Sequence, residues 1–335
     1  MRFVVGILLL MLLSSLLHSS DAFSSTTPSP NAQLTVLPPK LQAAADKGLL
    51  IQPLPSVYLL GTVHIGSESA EEARLLIEAV EPKALVVEVA PSRVETIRRR
   101  NEAAKKARND ESNGNEVESL RAPNQRNDPG VLLKSLPALA EKGWSTGGIA
   151  GLLFATTIVW GSLLKRSFTA QEGTDTLPRA DEFAAAIEAA DAVGASVIPC
   201  DVELEELIGN VVRSLSLVGW ISLALNVAAE TMGLREIDPI RRRRGETVVE
   251  WATRRRDIAT ARASRIHGEE LSKGLNKALV DDRDERFARY CMKVIELSGD
   301  ILNGTDDVIV CVVGLVHIDG VAKRLQEDTM VDTVR

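Results

Sequence analysis

Residues 57–90 read VYLLGTVHIGSESAEEARLLIEAVEPKALVVEVA, and this stretch decides the fold. Residues 57–60 are apolar and β-prone and are closed by Gly61. Residues 67–82 carry a helix start signal: Ser67 in the capping position, acids in the first turns and apolar residues on one face, with Pro82 as the stop. Residues 84–89 form a second short apolar run. Strand, helix and strand within about thirty residues make the crossover unit of a parallel sheet. Both strands then finish at the same edge, the one where open α/β sheets bind ligands. The expectation is that the two strands lie side by side, with His64 beyond the first and Glu88 near the end of the second.

Working outward, a helix is expected from about Ser92 to Lys106, followed at 107–130 by a polar, loosely ordered insertion. Residues 180–201 repeat the pattern of helix, short strand (196–200) and acid, here Asp201. From Val202 to about Tyr290 the pattern is nearly all helical, and 306–314 supply a last buried strand. The predicted architecture is therefore α/β: a mainly parallel central sheet flanked by helices, with a large helical insertion before the last strand, over a domain at 51–330.

The chain has only four histidines, and two share the setting Gly-x-Val-His-Ile after a strand: His64 after Gly61, and His317 after Gly314. If the four strands are parallel, His64, Glu88, Asp201 and His317 converge on one sheet edge. Imidazole nitrogens and carboxylate oxygens suit a divalent transition metal such as manganese, cobalt or zinc. Gly61 and Gly314 are read as sharp turns that let each histidine point back over the edge. Glu88 interrupts an otherwise apolar strand, and a buried carboxylate costs several kcal/mol unless paired or coordinated. The plainer readings stay open: a loop or cap for each histidine, an exposed strand end for Glu88, and a helix cap for Asp201.

A net charge of −7 argues against a dedicated nucleic-acid binder, and 4% aromatic residues leave little for base stacking. There is no Gly-rich phosphate loop, CxxC pair, HExxH or GxSxG. The seven arginines within 241–257 read as a solvated helix face and an exposed turn, or else as a contact for anionic lipid or phosphate. The uncharged run 149–164 is short of the ~20 residues a span needs. It fits a core helix, a membrane-surface helix through which the protein associates with a bilayer, or a marginal span. A second apolar helix, 215–233, has polar breaks and reads as buried or amphipathic.

Residues 1–22 have a signal-peptide layout: Arg2, the apolar run Phe3–Leu13, and small residues up to Ala22. An uncleaved anchor is the alternative. The Ala22-Phe23 junction and the hydroxylated, acid-poor stretch after it, within a transit-like or linker segment at 23–50, resemble the bipartite plastid presequence of algae with secondary plastids. Cys200, Cys291 and Cys311 give no disulfide framework, which favours a reducing compartment such as a plastid stroma. The sequon Asn303-Gly304-Thr305 keeps the secretory pathway or endomembrane as the alternative.

Four segments, in order, resemble the TraB/PrgY/GumN family: LLGTVHIGSESAEEARLLIEAVEPKALVVEVAPSR from residue 59, DEFAAAIEAADAVGASVIPCD at 181–201, DDRDERFARY at 281–290 and VIVCVVGLVHIDGVAKRL at 308–325. The likeness covers about 57–327. It implies a metal-dependent hydrolase of the kind seen in the related TIKI proteases, acting on a peptide or small molecule. The two GxxH histidines would correspond to His64 and His317, and the intervening glutamate to Glu88. Arg93 matches the family's Ser-Arg arginine, and Arg283 and Asp284 its Arg-Asp pair. Where the family has Gly-Asp-Arg, this chain has Cys200-Asp201-Val202. The pheromone-shutdown members imply the alternative, a non-catalytic peptide-binding or membrane-associated regulator.

Overall fold

The computed structural model describes residues 37–63, 67–112, 140–141, 144–145, 147–149, 181–232, 234–235, 238–243, 245–299 and 308–333. The signal peptide, residues 113–130 of the expected insertion, the run 150–164, the sequon and His64 lie outside them.

Five strands form one sheet: β1 (Leu50–Leu54), β2 (Val57–Thr62), β3 (Ala84–Val87), β4 (Ser196–Pro199) and β5 (Ile309–Gly314), in the order β1-β2-β5-β3-β4. β1 is an antiparallel edge strand, and every other pairing is parallel. β5 is buried along its whole length, with β2 on one side and β3 on the other. A strand covered on both faces has to be continuously apolar, which is why Ile309–Val313 shows no alternation. The crossover from β2 to β3 therefore does not join neighbours, as the local pattern suggested. The last strand of the chain enters between them. Only the register of distant segments sets that order.

Helix α1 is Pro39–Asp46, α2 Glu68–Val80, α3 Pro91–Ser112 and α4 Glu182–Val193. Between β4 and β5 come α5 (Leu204–Ser214), α6 (Leu217–Thr231), α7 (Val248–Arg255), α8 (Ile258–Leu271), α9 (Lys273–Asn276) and α10 (Asp282–Gly299), and α11 (Ile318–Thr333) closes the chain. The two halves of the expected architecture, a mainly parallel sheet and a large helical insertion before its last strand, are both present. α2 packs on α4, and α10 on α11. α4 lies against β3 and β4, α10 against β3, and α11 against β1 and β2.

Several local expectations change. Leu41 of α1 and Leu49 before β1 are fully buried in the main core, so the folded chain begins by Leu37, inside the segment read as transit-like or linker. Ser67 does not cap α2 through its side chain; Ser69 instead bonds to Val63, its hydroxyl accepting from Val63 N at 3.1 Å. α2 ends on Glu81, which takes a left-handed conformation at φ 41°. α3 runs on to Ser112, into the stretch read as insertion. No helix among the described residues is long and apolar enough to cross a membrane.

The arginine-rich stretch is not simply a solvated face. Arg254 pairs with Glu246 and donates to the carbonyls of Pro239 and Arg241. Arg256 is buried, its guanidinium reaching Glu72 and, at 2.9 Å, Ser69 Oγ. That arginine ties the turn between α7 and α8 to the start of α2.

Candidate functional site

The parallel strands deliver their carboxyl ends to one edge, as the topology requires. The ladder runs one residue past β3, where Glu88 N donates to the Val312 carbonyl at 3.0 Å. This places the Glu88 side chain beside the end of β5. Its Oε2 accepts a hydrogen bond from the backbone N–H of Gly314, and its Oε1 meets Nη2 of Arg283. The carboxylate is 8% exposed and is paired, as a buried charge has to be. The exposed strand end left open for Glu88 does not occur.

Arg283 comes from α10. A π-helical stretch at Lys277–Asp281 precedes that helix, and an element of this kind re-aims the residues that follow. The guanidinium lies at the middle of the cluster. Nε is 2.9 Å from Asp201 Oδ1 and Nη2 is 2.9 Å from Asp201 Oδ2, a bidentate pairing. Nη1 is 3.3 Å from His317 Nε2 and also donates to the Leu279 carbonyl at 3.2 Å. Burial opposes the charge on Arg283, but Glu88 and Asp201 outweigh it and hold the guanidinium above its ordinary value. Its planar end also lies 5.3 Å from the centre of the Phe287 ring.

Asp201 follows β4 and accepts from its neighbour Val202 N at 2.9 Å. It does not cap α5, whose capping position is Glu203. Its carboxylate is committed to Arg283.

His317 ends a single 3-10 turn, Leu315–His317, between β5 and α11. Its ring is 3% exposed and meets Phe287 edge-on, centroids 5.2 Å apart. Nδ1 is 2.6 Å from Oδ1 of Asp284, which has no exposed surface. Arg265 Nη1 donates to the other oxygen of Asp284 at 2.7 Å, and Arg324 Nη1 stands 3.7 Å away. A carboxylate so placed accepts, so Nδ1 carries the ring proton. Arg283 can only donate, so Nε2 turns a lone pair toward it. The network thus sets Nδ1 as the nitrogen that donates to Asp284 and leaves Nε2 facing the cluster, 3.6 Å from Glu88 Oε1.

The glycines act differently from expectation. Gly61 lies inside β2, where a Cβ would come within 2.7 Å of Leu315 and 2.9 Å of Ile318. Gly314 has an ordinary φ of −60°, and a Cβ there would press on Glu88 Oε2 at 3.3 Å. Both residues permit close approach rather than a sharp turn.

Of the residues singled out from sequence, Glu88, Asp201, Arg283 and His317 come together. Arg93 is exposed in the first turn of α3, and its side chain makes no hydrogen bond or ion pair among the described residues. His64 lies just past the end of β2, outside those residues. Sequence reasoning did not give Asp284 a place in the site, nor Arg265. Acids in the first turn of a helix are ordinary, and only the likeness to the family's Arg-Asp pair pointed to Asp284.

His317 and Glu88 fit a divalent ion as a donor pair. Two ligands of one ion at ~2.1 Å and a tetrahedral angle stand about 3.4 Å apart, close to the 3.6 Å observed. Anchoring of Nδ1 on a carboxylate is the usual support for a ligating histidine. Asp201 fits less well, because Arg283 holds both its oxygens. Among the described residues no group of three or more His, Cys, Asp and Glu side chains is arranged to hold an ion, so a third donor would have to come from elsewhere.

A scan against protein-family models and a search of curated proteins both find no match to the chain.

Proposed function

We propose that this protein is a hydrolase dependent on a divalent metal ion and acting on a peptide-like substrate, as a member of the TraB/PrgY/GumN family. The observation that carries the reading is the pairing of His317 Nε2 with Glu88 Oε1 at the carboxyl edge, the imidazole locked from behind by buried Asp284. His317 and Glu88 would hold the ion (manganese, cobalt or zinc), with His64 as the third donor. The ion would polarise a carbonyl or bring the pKa of a bound water near neutrality.

The chain's own residues supply the rest. Asp284 holds the His317 ring through Nδ1, so Nε2 faces the cluster. Glu88 has one oxygen on the Gly314 amide and the other toward Arg283, and serves as ligand or as the base that takes a proton at Oε1. Arg283 offers a guanidinium to a substrate carboxylate or to the oxyanion. Arg93, exposed in the first turn of α3, would make a second contact of this kind on the family likeness alone.

The test is elemental analysis of the recombinant chain beginning near Phe23, for the wild type and for His317→Ala with His64→Ala. About one bound ion is expected in the wild type and none in the double variant. A wild type that takes up no manganese, cobalt or zinc ends the reading.

One observation favours a second reading, the non-catalytic peptide-binding regulator. Arg283 already pairs with both Glu88 and Asp201, so neither carboxylate is left without a partner when no ion is bound. Unchanged biological effect in Glu88→Gln would support it. Plastid delivery by residues 1–50 is proposed on the presequence likeness and is tested by fusing them to a fluorescent protein. Membrane association through 149–164 is tested by carbonate extraction.

A further inference from the structure

Arg283 touches both atoms that the proposed ion would use. Nη2 is on Glu88 Oε1, and Nη1 is 3.3 Å from His317 Nε2. An ion about 2.1 Å from each donor, on the face they present to the guanidinium, would lie within roughly 2.5 Å of its nitrogens. Two cations cannot share that space.

The charges point the same way. Asp284 is balanced by Arg265 and Arg324, which leaves two carboxylates, Glu88 and Asp201, around one guanidinium. Replacing the guanidinium by a divalent ion neutralises the pair. Adding the ion while Arg283 stays would create a repulsive buried excess of positive charge.

We infer that Arg283 is the resident cation of this site and exchanges with the divalent ion, leaving the space between Glu88 and His317 when the ion enters. The inference rests on the metal-dependent reading above. The side chain is 15% exposed, its stem starts on α10, and its planar end lies over Phe287, so exchange requires it to swing toward solvent. Exchange has two consequences. Ion-free protein keeps its buried carboxylates paired and stays folded. Ion binding is weakened by the ion pairs it has to break.

The experiment compares wild type, Arg283→Met and Arg283→Met/His317→Ala, all stripped with chelator. Manganese and zinc affinities are measured by calorimetry, and thermal unfolding is followed with and without each ion. Methionine keeps an unbranched side chain beside Phe287 while removing the charge. Stripped Arg283→Met should unfold at a lower temperature than stripped wild type, bind the ion about tenfold or more tightly, and gain more in unfolding temperature from it. The added His317→Ala change should abolish that gain. Histidine-dependent binding to wild type, with equal or weaker binding to Arg283→Met, overturns the exchange and leaves the metal reading intact. No binding to either protein overturns both.

Discussion

Nδ1 of His317 and Oδ1 of Asp284 stand 2.6 Å apart, and the carboxylate that orients this imidazole is wholly buried beneath α11. The same carboxylate receives Arg265, which also bonds Asp281 Oδ1 at 2.6 Å and so joins α8 to the start of α10. The contact is therefore both a device for aiming a histidine and a join between elements.

Asp284→Asn keeps the shape and removes the charge. It removes one of the two carboxylate partners of Arg265, Asp281 remaining, for which a loss of about 1–3 kcal/mol is expected. The measurement is the urea midpoint of Asp284→Asn, Arg265→Gln and the double variant. The double variant should lose clearly less than the sum of the singles. Strict additivity would mean the two groups do not act as a pair.

Gly320 sits where α11 crosses Asp284. A Cβ there would collide with Asp284 Oδ2 and come within 2.7 Å of Arg265 Nη1. Gly320→Ala should therefore cost about 1–3 kcal/mol by overpacking and should displace the carboxylate from His317. Gly194→Ala is the comparison: its φ is +78° but nothing lies within 4 Å, so only backbone strain of about 1 kcal/mol is expected. The NMR signals of the His317 ring should move in Gly320→Ala and stay in place in Gly194→Ala. Equal effects on both readouts would remove the packing argument.

The sheet edge could be read from the sequence, but the neighbours along it could not. Residues 57–60, 84–89, 196–200 and 306–314 announce themselves as strands because each holds a short apolar run beside a turn signal, and Glu88 stands out as a charge among them. That β5 separates β2 from β3 depends on contacts between residues some 250 positions apart, such as Thr62 Oγ1 to the Val313 carbonyl at 3.2 Å, and no local pattern encodes them. Asp284 was hidden for a related reason. An acid in the first turn of a helix is favourable by itself, so its sequence context gives no hint that it faces inward. Arg256 was hidden among neighbouring arginines, although it alone of the three at 254–256 falls below a tenth exposed.

Arg256 makes a further prediction. Its Nη2 pairs with Glu72, 4% exposed, its Nε is 3.1 Å from Glu68, and its Nη1 holds the Ser69 hydroxyl that bonds Val63 at the end of β2. Arg256→Met strands the Glu72 charge and should cost about 3–5 kcal/mol, while Arg256→Met with Glu72→Met should recover most of it. Denaturant unfolding of the three variants checks this. A double variant as unstable as Arg256→Met would show that the arginine acts through Ser69 rather than through the charge pair.

The three thiols lie in the core below the cluster. Cys200 follows β4 and donates to the Val87 carbonyl at 3.1 Å, Cys311 lies opposite Val86 in the sheet, and Cys291 is on α10. Burial pushes the Cys200 thiol well above its ordinary value, with nearby Cys291 and Glu88 adding to the shift. Cys311 is pushed up by its hydrogen bond with Cys291 and then by burial. Native protein at neutral pH should therefore react with a disulfide reagent at a negligible rate, and unfolded protein should titrate three thiols. The pH dependence follows from the direction of the shifts. Below the ordinary thiol value of 9.0 both states keep these protons, and stability is unaffected. Above it the unfolded chain releases them while the folded chain does not, so the unfolded state gains and stability falls as pH rises. Replacing Cys200 and Cys311 by alanine should flatten the alkaline limb of the stability profile, at the cost of a lower plateau from the lost packing. An alkaline limb equally steep in the variant would place the titrating groups elsewhere.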